Sequence, residues 1–310
     1  MTALSTLFPV FFMIGLGVFA RIKGWITPQQ KEGANHIIFN ILFPIMIFNV
    51  LFTANISVSV IWIVLYVFIA FVLTMVLGKL LSQFTGAKMA HISPYLLTTT
   101  EGGNVALPLY TSIVGLSYAS NTIIFDIAGS LMAFVVMPIM VAKETSGKTS
   151  FKELLKTICT SSFLIAVALG LILNLIGGYT FLQTTPFIDI YTNTINQATG
   201  PIVGMILLII GFNLKIQKEA LPSLIKLLCV RFVLFAGIIA GFFILFPSMM
   251  ADQIYMIAVL IYFMSPTGFA VPMIISPLNK TEEDEDFQSA FISLYMVITL
   301  IVYALIVVLI

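Results

Sequence analysis

The chain has 310 residues, of which 60% are apolar and 9% charged, with a formal net charge of +1 and a mean hydropathy of +1.12. Soluble globular chains carry about 25% charge, so a soluble enzyme or binding module is excluded, and a balance this close to neutral leaves no basic excess to recruit nucleic acid. Cys159 and Cys229 both sit inside apolar runs and describe no disulfide framework.

A bilayer crossing needs about 20 mainly apolar residues, and uncharged stretches of that kind recur along the whole sequence. The first runs from Met1 to Ala20. No Lys or Arg precedes it, and Arg21 and Lys23 follow it, so it reads as a retained first helix entering from outside rather than a cleavable signal peptide. Gly33 to Gly78 is too long for one crossing and divides at the polar stretch Thr53 to Ser57 into helices two and three. Met89 to Phe125 holds helix four, interrupted by Glu101, and after the polar stretch Ser117 to Asn121 the start of helix five, which continues to Ala142. Thr157 to Ile188, Ile190 to Leu214, Phe232 to Ala251, Gln253 to Asn279 and Phe287 to Ile310 supply helices six to ten. The expected fold class is an all-α membrane protein of ten transmembrane helices.

Cytoplasmic loops collect Lys and Arg. Of the 14 basic residues, 13 fall in odd-numbered loops: Arg21, Lys23 and Lys31; Lys79 and Lys88; Lys143, Lys148, Lys152 and Lys156; Lys215, Lys218 and Lys226; and Lys280. Odd loops are therefore expected in the cytoplasm and both termini outside, across a cytoplasmic membrane. The acidic run Glu282 to Asp286 also lies in an odd loop, where acidic residues weigh little.

Two units of five helices, an odd number, must be inverted relative to each other. The basic linker 143–156 separates a first repeat, 1–142, from a second, 157–310. Helix two carries Asn40-Ile-Leu-Phe-Pro44 and helix seven Gln197-Ala-Thr-Gly-Pro201, each an amide four residues before a proline. Helix four carries Asn104-Val-Ala-Leu-Pro108 and helix nine Gly268-Phe-Ala-Val-Pro272, at a similar offset along the chain.

Helices four and nine also concentrate helix-weakening residues, Glu101-Gly-Gly-Asn104 before Pro108 and Ser265-Pro-Thr-Gly268 before Pro272. Each break falls roughly 15 to 20 Å into its helix, near the bilayer midplane. Broken backbone at that depth must line a protein-walled cavity, and paired interruptions of this kind mark the sites of secondary transporters. Second half-helices starting near Pro108 and Pro272 would offer positive dipole ends to an anion. Carbonyls of the first half-helices, beside Thr98, Thr99, Thr100 and Glu101 or beside Ser265 and Thr267, would favour a cation or proton.

Glu101, at the negative end of a half-helix in mid-membrane, reads as a coupling group, with a fixed ion pair as the alternative. Thr100 and Ser265 join it on the coupling side. Asn104 and Gly103, with Pro108, Thr267, Gly268, Pro272 and Asn40, make the candidate substrate set. Arg231 is a candidate counter-charge, but it lies five residues beyond Lys226, close enough to the interface to snorkel. Asp126 is expected near the headgroups, and His36 and His91 at cytoplasmic helix ends. Ser146-Gly-Lys-Thr149 has Ala142 where a phosphate-binding loop needs glycine. No metal cluster and no Ser/His/Asp set is visible, so no enzyme chemistry is expected.

Three segments carry a resemblance: Asn35-His-Ile-Ile-Phe-Asn40-Ile-Leu-Phe-Pro44, Gly103-Asn104-Val-Ala-Leu-Pro108 and Ser265-Pro-Thr-Gly-Phe-Ala-Val-Pro272. Together they resemble the auxin efflux carrier family, bacterial branch, over essentially the whole chain. The resemblance implies a 5+5 inverted repeat similar to bile acid sodium symporters, with crossing helices four and nine. Helices one, two, six and seven would form a scaffold, and three to five and eight to ten a mobile transport domain. It also implies transport of malate, malonate or a related organic anion, with Asn104 on the substrate. The expected partners are that small anion and the lipid bilayer; any homodimer would form through helices one, two, six and seven. No cofactor is expected beyond a coupling sodium ion or proton. The competing readings are a coupled carrier of another solute, using Glu101, and a membrane sensor that binds without moving its ligand.

Overall fold

The computed structural model describes residues 3–53, 58–145, 162–213 and 221–309, and its regular structure is all helix, with no strand among them. In chain order the longer helices are α1 Ala3–Ile22, α2 Pro28–Thr53, α3 Val58–Leu80, α4 Leu107–Val114, α5 Ser120–Thr145, α6 Ser162–Leu175, α7 Ile188–Phe212, α8 Leu221–Leu245, α9 Gln253–Phe263 and α10 Glu282–Leu309. Among the described residues, six helices are long and apolar enough to cross a membrane, and three shorter apolar ones accompany them. Large apolar side chains such as Trp62, Val233 and Ile244 stand exposed on these helices, a surface suited to hydrocarbon rather than water. The linker expected at 143–156 begins as helix, since Lys143 to Thr145 extend α5. Its remainder, with the Ser146 to Thr149 motif, Cys159, Lys215 and Lys218, lies outside the described residues.

Local chemistry explains the helix starts and their irregular turns. Thr27 opens α2 with a capping box: Gln30 N donates to its hydroxyl at 3.2 Å and Thr27 N to the Gln30 side chain at 2.9 Å. Asp252 caps α9 by accepting from Ile254 N at 2.9 Å. Three prolines inside helices, Pro44, Pro108 and Pro138, each follow a π turn: Ile38–Leu42, Gly102–Ala106 and Met132–Val136. In each case the residue before the proline donates five residues back, Phe43 to Ile38, Leu107 to Gly102 and Met137 to Met132. A proline has no N–H and its ring crowds the carbonyl four residues earlier. Widening the preceding turn moves that carbonyl aside, so the chain continues as helix.

Contacts divide the chain into two compact units. One holds most of α3 with α4, α5, α8, α9 and α10; the other holds most of α1 with α2, α6 and α7. Each therefore combines helices from both sequence halves.

In the second unit, glycines bring helices into backbone contact. A Cβ on Gly17 would lie 2.0 Å from Leu208 O, and one on Gly211 would lie 1.9 Å from Ile14 O. These reciprocal approaches seat α1 against α7 through small residues, the usual means of packing where apolar burial gives no drive. Asn174 Nδ2 donates to Phe52 O at 2.8 Å and Tyr191 OH to Asn49 Oδ1 at 2.8 Å, tying α6 and α7 to α2. In the first unit Phe71, Phe125, Phe235, Phe242, Tyr262 and Phe263 are buried together, with edge or tilted ring contacts such as Phe125 to Tyr262 at 5.3 Å.

Candidate functional site

Both predicted breaks are present, and both belong to the first unit. Ahead of α4, a single turn Ser93–Leu96 gives way to irregular, buried backbone from Leu97 to Glu101. After α9, residues 264–270 are non-helical until the short helix Val271–Ile275.

The two irregular segments bond to each other. Glu101 N donates to Pro266 O at 2.7 Å, Thr267 Oγ1 donates to Leu96 O at 2.5 Å, and Phe269 N donates to Glu101 Oε2. Gly268 lies so near the other break that a Cβ there would be 3.3 Å from Thr99 Oγ1.

Glu101 occupies a different end of its helix from the one expected. Its side chain caps the π turn Gly102–Ala106, accepting from Asn104 N at 3.1 Å and from Asn104 Nδ2 at 2.5 Å. The second half-helix thus begins at Gly102, not near Pro108, and Glu101 stands at its positive end, where a carboxylate is favoured. Counting the second half-helix from Pro108 puts Glu101 at the negative end instead. The π turn lets Pro108 sit buried inside the helix instead.

Arg231 also departs from expectation. Rather than snorkelling, it is fully buried (0% exposed). It donates to Leu96 O at 3.1 Å, Thr99 O at 2.9 Å and Ser265 O at 3.1 Å. Its guanidinium carbon lies 4.0 Å from the centre of the Phe235 ring and 4.8 Å from that of Tyr295. The carbonyls that end the first halves of both broken helices have no helical partner, and satisfying them outweighs the pull of the interface. Thr299 of α10 adds a further bond, Oγ1 to Met264 O at 2.7 Å.

Sequence alone does not foresee the contacts of Asp126. It stands two turns into α5, where Tyr262 OH donates to its Oδ1 at 3.2 Å. It packs directly on the helix-four break: a Cβ on Gly102 would lie 2.0 Å from Asp126 Oδ1, and the carboxylate is within electrostatic reach of Glu101. Gly129, one turn on, leaves room for Tyr262, whose hydroxyl would be 2.9 Å from a Cβ there. The spacing of Asp126 and Gly129 on one helix face is the sequence signal that could have found this contact.

Of the sequence-predicted residues, Glu101, Thr100, Gly103, Asn104, Ser265, Thr267, Gly268 and Arg231 come together at or beside this junction. Pro108 and Pro272 lie in the helical segments leading away from it. Asn40 belongs to the other unit, where it is exposed and pairs with His36 Nδ1 at 2.8 Å. His91 pairs with Asp284 Oδ2 at 3.2 Å, away from the breaks.

The hydroxyls of Thr99 and Thr100 are buried and make no hydrogen bond among the described residues. With Asn104, they are the polar groups of the junction best able to receive a ligand. No protein-family model matches the chain, and no curated protein matches it either.

Proposed function

We propose that the chain is a secondary carrier of the auxin efflux carrier type that it resembles, moving a small organic anion, a mono- or dicarboxylate, by alternating access. In this reading ten membrane helices form two inverted repeats of five in the cytoplasmic membrane, with both termini outside. The unit that carries the broken helices is the part that moves. The observation that carries the proposal is the mutual bonding of the two breaks, Glu101 to Pro266 and Phe269 and Thr267 to Leu96. Irregular backbone buried at two corresponding places, with unpartnered hydroxyls beside it, is the construction of a transport site rather than of a passive membrane bundle.

A second reading, coupling to a proton, is favoured by the charges at the junction. Glu101 and Asp126 are two carboxylates and Arg231 one guanidinium, so an added anion needs further positive charge. Glu101 is poorly arranged to take it. All three of its side-chain partners are N–H donors, and protonation would turn an O–H against one of them. Among the described residues Asp126 receives one hydroxyl donor, Tyr262, and is the better proton acceptor.

Counterflow in proteoliposomes against a panel of carboxylates, at two pH values and with or without sodium, tests the reading. Saturable accumulation is expected, enhanced by an inward proton gradient. Saturable binding with no flux would establish the sensor instead.

A further inference from the structure

We propose that Arg231 is a resident cation: its guanidinium fills the place at the helix crossing where a carrier of this construction would bind an alkali cation, so the protein needs none there.

An alkali cation held in a broken membrane helix is coordinated by backbone carbonyls released where a half-helix ends. Here the carbonyls that such an ion would use from both breaks point at one guanidinium. Arg231 NH1 binds Leu96 O, and Arg231 NH2 binds Thr99 O and Ser265 O, at 2.9 to 3.1 Å. Two of these acceptors belong to the segment ending before Glu101, and the third belongs to the irregular segment that follows α9.

Two further features mark the residue as built in. Arg231 is fully buried, so it does not exchange with solvent as a bound ion does. Its flanks are the Phe235 and Tyr295 rings, which hold a planar cation by face contact. Glu101 binds into the same junction from the other side of the chain break. Its main-chain N–H binds Pro266 O, the residue next to Ser265, and its carboxylate binds Phe269 N.

A fixed cation differs from a bound one in consequence. It ties both breaks at every moment of the cycle, so they travel as one body. It also removes the sodium gradient as an energy source at this position. For that consequence in flux the role rests on the carrier reading; its readout in stability does not.

The test uses the full-length purified protein. The thermal unfolding midpoint is measured in sodium, potassium and lithium chloride and in choline chloride at matched ionic strength. The wild-type midpoint is expected to be the same in all four; a rise specific to one alkali cation would overturn the proposal. Arg231→Ala is expected to lower the midpoint, with guanidinium or a small alkali cation restoring part of the loss that choline leaves. Arg231→Lys, which keeps the charge but not the planar fork, should fall between the two. A wild-type-like midpoint for Arg231→Ala, or a loss that no cation relieves, would also overturn it. If Arg231→Ala does not fold, the wild-type cation series and Arg231→Lys decide the matter. Absence of flux for every anion would sink the carrier reading while leaving the cation series intact.

Discussion

The amide N–H of Phe269 donates to the carboxylate of Glu101, so the residue that caps one broken helix is also the tie to the other. One side chain thereby satisfies main-chain groups of two interrupted elements. The oxygens divide the task, with Oε1 taking Asn104 and Oε2 taking Phe269.

Glu101→Gln separates a structural carboxylate from a purely titrating one. The amide oxygen can keep both Asn104 contacts, but the new NH2 then faces the Phe269 N–H, donor against donor. Leaving that buried group unsatisfied costs about 1 to 3 kcal/mol. The expected result is a lower unfolding midpoint. A group that served only to carry a proton would leave the midpoint unchanged or raise it, because a buried charge would be gone.

Gly102→Ala addresses the contact between the helix-four break and α5. The added Cβ would lie 2.0 Å from Asp126 Oδ1, so the carboxylate must move and its bond from Tyr262 is disturbed. Overpacking of this kind costs about 1 to 3 kcal/mol. In an Asp126→Ala background the same substitution should cost clearly less, because the obstructing atoms are absent. A double-mutant cycle on unfolding midpoints measures the difference, and full additivity would show that the two residues do not meet.

The breaks were legible in sequence because Glu101-Gly-Gly-Asn104 and Ser265-Pro-Thr-Gly268 interrupt long apolar runs, where any such interruption stands out. What each residue does there was not legible. Depth for Arg231 was read from its distance to Lys226, a one-dimensional measure blind to the carbonyls that two other segments bring to it. The contacts of Asp126 are hidden for the same reason, since its partner Gly102 has no side chain to announce one. Pro108 misled in another way. Periodicity treats a proline as a boundary, whereas the π turn ahead of it absorbs the missing donor and carries the helix start back to Gly102. The composition of the two units, helices one, two, six and seven in one and the others in its counterpart, is the grouping that the family resemblance implies; the order of helices alone does not state it.

Gly211→Ala probes the seating of α1 on α7 within the second unit. Its Cβ would fall 1.9 Å from Ile14 O, and a backbone carbonyl cannot rotate away as a side chain can. The helices must separate by a fraction of their contact distance, losing dispersion contacts along the interface. We expect a loss of about 1 to 3 kcal/mol and a reduced yield of folded protein in detergent. Gly15→Ala, on the same α1 helix with nothing within 4 Å of its Cβ position, is the matched control and should leave the yield unchanged.

Asn104→Ala tests the ligand assignment. It removes the Nδ2 donor to Glu101 but leaves Asn104 N on the same oxygen, so the helix cap survives and the cost in stability should be below that of Glu101→Gln. The second Nδ2 hydrogen, not given to Glu101, is the donor that can meet a substrate carboxylate with the hydroxyls of Thr99 and Thr100, whereas Oδ1 can only accept, as from a substrate hydroxyl. Loss of one such hydrogen bond costs about 1 kcal/mol, roughly a fivefold weaker affinity. Equilibrium binding of the best carboxylate from the counterflow panel provides the measurement. Unchanged affinity, with a normal unfolding midpoint, would move the substrate away from the helix-four break.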